Sequence, residues 1–154
     1  MTGTARRVLI VANRTAATDK LLEAVRQRAQ EGPSTFYLLV PATPRGLHRV
    51  VDPEVAGRTE AAAQLEHALE LLREAAGADV SGHVGDADPM AAISDTLHER
   101  EVDEIIISTL PRRLSRWMRF DLPSKVRGLG KPVSHVEAAR APATETEVVD
   151  GRAA

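Results

Sequence analysis

The stretch from Asp103 to Val126, DEIIISTLPRRLSRWMRFDLPSKV, decides how the chain is read. Ile105, Ile106 and Ile107 form an uninterrupted apolar run of strand length. A run without polar alternation predicts a strand buried on both faces, as in a parallel sheet. Ser108 and Thr109 end it, an arginine-dense loop follows, and Asp121 with Pro123 announces another helix. Open α/β sheets bind their ligands at the carboxyl ends of such strands.

Working outward, short apolar runs closed by turn residues recur. Val8 to Ala12 predicts a first buried strand, closed by Asn13-Arg14-Thr15. A helix fits Asp19 to Gln30, with Leu21, Leu22, Val25 and Ala29 on one face, Thr18 or Asp19 as cap, and Gly32-Pro33 as stop. Thr35 to Val40 predicts the second strand. Pro41 to Gly57 reads as a loop from its prolines and glycines, and Thr59 is positioned to cap a helix over Glu60 to Ala76 that buries Leu65, Leu69 and Leu72. Asp79 to Val84 predicts a third strand. Asp88-Pro89 then opens a helix to about Arg100, with Met90, Ile93 and Leu97 inward. A short helix from about Asp121 ends by Gly128, and Val133 to Glu137 predicts the last strand.

Strands alternating with helices imply a single doubly wound α/β domain over residues 1–138, Rossmann-like, with a five-stranded parallel sheet in the order 3-2-1-4-5. Residues 139–154 lack a periodic apolar face and read as a disordered tail. The loops after the strands should meet in one crevice.

Bulk properties narrow the partners. Cysteine is absent, so disulfides and thiolate metal sites are excluded. No apolar run approaches the roughly 20 residues that span a bilayer. The five-residue run near the start is too short for a secretory core, so a cytoplasmic protein is expected. Net charge is −2, but between Pro111 and Lys131 seven cations face one anion, Asp121. That segment carries +6 and the rest −8, which points to a local anionic partner and not to general nucleic-acid affinity. Leu110, Leu114 and Trp117 or Met118 give it an amphipathic spacing suited to the fold's own core, another protein or an anionic membrane surface. The five histidines show no metal-ligand spacing, and no triad, nucleophile elbow or Walker sequence occurs.

Four segments together resemble the universal stress protein family: VANRTAAT from Val11, VGDADPMAAI from Val84, IIISTLPR from Ile105 and LGKPVSHV from Leu129. The resemblance implies an adenine nucleotide alpha hydrolase-like fold and a non-catalytic, stress-type regulatory protein. Asn13 stands where the family carries an Asp. Nucleotide-binding members have Gly-x2-Gly-x9-Gly-Ser/Thr after the fourth strand, where glycine lets amides approach phosphate. Here the first two positions are Ser108 and Pro111, and the third falls on Asp121-Leu122. Pro111 has no N–H to donate, and Asp121 repels phosphate. Either arginine side chains replace the amide cradle, or nucleotide binding is lost.

The expected ligand is thus a nucleotide, such as ATP or another adenine nucleotide, or a different phosphorylated anion. It would be held by Asn13, the backbone at Val40, Ser108 and Thr109, with Arg112 and Arg113 on phosphate. Arg116 and Arg119 are expected to face solvent. No resident cofactor, metal site or enzymatic turnover is expected. The alternative is an interaction scaffold, a homodimer through the last strand or a partner module acting through the arginine loop.

Overall fold

The computed structural model describes residues 5–42, 53–111 and 114–138. The strands are β1 (Arg6–Val11), β2 (Ser34–Pro41), β3 (Val80–Gly85), β4 (Glu104–Thr109) and β5 (Val133–Glu137). The helices are α1 (Asp19–Glu31), α2 (Pro53–Ala76), α3 (Pro89–Glu99), α4 (Arg116–Arg119) and α5 (Leu122–Arg127). All strand pairings are parallel, in the order β3-β2-β1-β4-β5. Strand order reverses between β1 and β4, where Val8 to Val11 pair with Glu104 to Ile107.

Period-two alternation divides the core between the two faces of this sheet. Val8, Ile10, Leu38, Val40 and Ile106 pack with Leu21 and Val25 of α1 and Leu69 and Leu72 of α2. Leu9, Val11, Leu39, Ile105 and Ile107 pack with Ile93 of α3 and Leu122 and Val126 of α5. Every residue of β4 is buried, as its uninterrupted apolar run predicts. At Gly85 any Cβ would sit 2.8 Å from Leu39 Cδ1 and 2.9 Å from the Ala92 Cβ, so glycine lets α3 close on the sheet.

The helix ends confirm some sequence signals and correct others. Asp88 accepts from the Met90 amide with Pro89 in the first turn, and Gly77 follows α2 with a φ of 69°. Thr18 stands at the N-cap of α1, but its hydroxyl donates to the Thr15 carbonyl and accepts from no helix amide. α2 begins at Pro53, seven residues ahead of Glu60, so Thr59 lies inside the helix and not at its N-cap. Proline is well suited to a first helical turn, and the helical context tolerates Gly57, whose cost is about 1 kcal/mol. α4 is an unforeseen single turn. Its cap is Ser115, whose hydroxyl accepts from the Met118 amide at 3.2 Å. The expected tail, 139–154, lies outside the described residues.

The amino end of the sheet is tied by charge. The buried Glu104 carboxylate accepts from Arg6 and Arg28, and Arg28 also reaches Glu31. Asp103 accepts from the Arg7 amide at 2.8 Å and from its guanidinium at 3.0 and 3.1 Å. Those hydrogen bonds hold the Asp103 carboxyl at about 2, well below its ordinary range.

Candidate functional site

The carboxyl ends of β1 and β4 open into a cavity of about 290 Å3, at the point where strand order reverses. Asn13, Arg14 and Thr15 come from the turn after β1. Ser108 and Thr109 end β4, and Leu110, Leu114, Ser115, Arg116 and Trp117 complete the lining. One wall is therefore apolar, the floor carries hydroxyls, and two guanidinium groups supply the charge. Among the described residues, the lining contains no carboxylate and no imidazole.

The floor is built by side chains that bond to one another. Thr15 Oγ1 and Ser108 Oγ lie 2.7 Å apart, both buried, linking the β1 turn to β4. One of the two hydroxyl protons makes that bond, which leaves the pair a second proton for a ligand. Thr109 Oγ1 donates to the Leu110 carbonyl at 2.9 Å and lies 2.8 Å from His135 Nε2. The hydroxyl has a single proton for these two neighbours, so which atom donates in the His135 contact follows the imidazole tautomer. Ser115 Oγ accepts from the Met118 amide, and its own proton remains available to a ligand.

Asn13 has a structural task as well as a place in the lining. Its Nδ2 donates to the Pro41 carbonyl, fastening the end of β2 to the end of β1. Arg14 and Arg116 are exposed, and neither forms an ion pair among the described residues. Trp117 is half-buried against the core that includes α3 and α5, so one side packs and the other lines the cavity.

Asn13, Ser108 and Thr109, singled out in the sequence, are thus brought together. Val40 is fully buried in β2, in the core beneath α1 and α2, and is not among the lining residues. Arg112 and Arg113 lie outside the described residues. Arg116, expected to face solvent, lines the cavity despite its exposure, because the single turn of α4 follows directly on Leu114 and Ser115. Thr15 and Ser115 carried no distinct signal, since a hydroxyl after a strand or before a turn is ordinary.

No protein-family model matches the chain, and no curated protein matches it. Solved structures do. A universal stress protein from Archaeoglobus fulgidus superposes with a TM-score of 0.58 at 20% identity, covering 85% of this chain and 93% of that one. The Archaeoglobus fulgidus universal stress protein in complex with dAMP gives 0.53 at 21% identity over 86% and 98%. A universal stress protein in complex with cAMP gives 0.56 at 17% identity over 88% and 100%. With its parallel sheet ordered 3-2-1-4-5 and helices on both faces, this chain has the fold of the universal stress proteins.

Proposed function

We propose that the chain is a non-catalytic, stress-type regulatory protein that binds a small phosphorylated ligand, an adenine nucleotide first, in the cavity between β1 and β4. The observation that carries this reading is the lining itself: hydroxyl donors and two arginines without ion pairs, no carboxylate, and an apolar wall, all at the switch point. Ser115 and the Thr15–Ser108 pair donate to the ligand, Arg14 and Arg116 neutralise its phosphate, and Leu110, Leu114 and Trp117 take its apolar face. A volume near 290 Å3 lies at the lower end for small-molecule pockets and suits a nucleoside monophosphate better than a long polyphosphate. The dAMP and cAMP complexes of the structural neighbours support that choice. Arginine forks take the part that glycine amides play in the family motif, and Arg112 and Arg113 belong to the same cationic run.

Turnover is not part of the proposal. Hydrolysis needs a base within hydrogen-bond reach of the attacking group. Among the described residues that line the cavity there is no carboxylate and no imidazole to serve as one. The absence of cysteine and of any described helix long and apolar enough to cross a membrane agrees with a cytoplasmic site of action. Isothermal titration with AMP, dAMP, cAMP and ATP tests the proposal. Saturable heat with a monophosphate is expected, and no heat with any of the four at tens of micromolar protein overturns it.

A second reading makes the fold a scaffold for self-association. It is favoured by β5, an edge strand that pairs only with β4 and is only partly covered. Light scattering tests it: a dimer is expected, and a strict monomer at high concentration rejects it.

A further inference from the structure

Among the described residues, the exposed large apolar side chains all fall in one short segment: Leu114 at 51% exposure, Phe120 at 38% and Leu129 at 39%. Single exposed apolar residues need no explanation, but three within 16 positions do. The same segment, carried to Lys131, holds five cations, Arg116, Arg119, Lys125, Arg127 and Lys131, and the single anion Asp121, leaving +4. None of the five forms an ion pair among the described residues. Elsewhere Arg6, Arg7, Arg26, Arg28 and Arg73 do, while Arg14, Lys20 and Arg100 do not, so five unpaired cations within one short segment are a local concentration. Asp121 is occupied as the cap of α5, accepting from the Ser124 amide.

α5 presents this chemistry outward. It buries Leu122, Pro123 and Val126 against the sheet and exposes Lys125 and Arg127. Phe120 precedes it and Leu129 follows it, so apolar groups flank the helix at both ends. Lys125 Nζ lies 5.1 Å from the centre of the Phe120 ring, which places cation and apolar group side by side.

From this arrangement we infer that the α4–α5 surface docks the protein on an anionic lipid bilayer as a peripheral contact. Phosphate headgroups complement the unpaired cations, and the acyl boundary accepts Phe120 and Leu129 between them. Long basic side chains reach outward to headgroups while their stems cover apolar surface. A nucleic-acid backbone would use the cations and leave the leucines exposed to water, so the interleaving favours lipid.

Co-sedimentation with vesicles tests this. Phosphatidylcholine vesicles with about one-third phosphatidylglycerol should bind the protein, and pure phosphatidylcholine vesicles should not. Each surface cation contributes about fivefold, so Arg119→Ser with Arg127→Ser should weaken binding about 25-fold, and added salt should abolish it. Phe120→Ser with Leu129→Ser should weaken it about fivefold or more, since apolar burial is lost. None of these positions lines the cavity, so nucleotide titration should be unchanged in both variants. Thermal melts establish that each double variant is folded, with the single changes Phe120→Ser and Arg127→Ser as substitutes. No binding to the anionic vesicles overturns the inference. Binding that the apolar changes leave intact, with equal binding to soluble heparin, overturns it too, because the surface would then be a polyanion site.

Discussion

The two ends of the sheet carry the same residue type to opposite effect. At the amino end, Arg6, Arg7 and Arg28 are each clamped on carboxylates of Glu104, Asp103 and Glu31. At the carboxyl end, Arg14 and Arg116 stand over a floor of hydroxyls and face no carboxylate in the lining. An arginine whose charge is matched within the fold contributes to stability and has little attraction left for a ligand. One left unmatched beside a cavity does the reverse. The contrast separates the structural end of this molecule from the proposed binding end without any appeal to motif.

Breaking the amino-end network should have the largest effect. Glu104→Ala leaves Arg28 half-buried without its main partner and should destabilise the fold by about 2–3 kcal/mol, read as a lower urea midpoint. Next, Thr15→Val removes one member of the buried hydroxyl pair and leaves Ser108 unsatisfied, at a cost of about 1–2 kcal/mol in the same assay. Thr15→Val should also weaken ligand binding, whereas Glu104→Ala should not. If Glu104→Ala weakened binding as much, the division between the ends would fail.

Acid should act on the amino end. The folded Asp103 carboxyl, held at about 2 by Arg7, lies below its ordinary value of 3.8. The unfolded chain therefore takes up the proton first, so this contribution is complete above about pH 4 and is lost as pH falls toward 2. Glu104, lowered by its hydrogen bonds from Arg28 and Arg6 against an opposing burial effect, acts in the same direction. Asp103→Asn should flatten the acid limb of a stability–pH curve, and an unchanged limb would show that the Arg7 contact contributes nothing. The smallest effect belongs to the other end. Arg14→Ala with Arg116→Ala should change stability by under about 0.5 kcal/mol, because both side chains are exposed and unpaired.

The fold was legible because its signals are local. The isoleucine run of β4, the apolar runs of β1 and β2, and the cap Asp88-Pro89 each act over a few residues, and the order of strands and helices dictates a parallel sheet. The start of α2 was hidden because Pro53 and Gly57 are loop formers by composition, while only the folded context shows Pro53 in a first helical turn. α4, at four residues, is barely one turn and too short to repeat the helical period that would betray it. The site was half legible. Asn13, Ser108 and Thr109 follow from being strand ends at the switch point. The Thr15–Ser108 bond joins positions 93 apart and exists only because β1 lies beside β4. Arg116 is exposed as expected, but nothing in the linear pattern reveals that the chain turns at Ser115 and brings it to the cavity.

The most direct test uses Trp117, the only tryptophan in the chain and part of the cavity wall. Titrating AMP while following its fluorescence reads occupancy at the site itself. A saturable change is predicted, weakened about a hundredfold or more by Arg14→Ala with Arg116→Ala, since each lost charge-assisted hydrogen bond is worth about 1.5–3 kcal/mol. Emission that AMP leaves unchanged up to millimolar concentration, or a response that the double variant retains in full, would contradict the assignment of this cavity as the binding end.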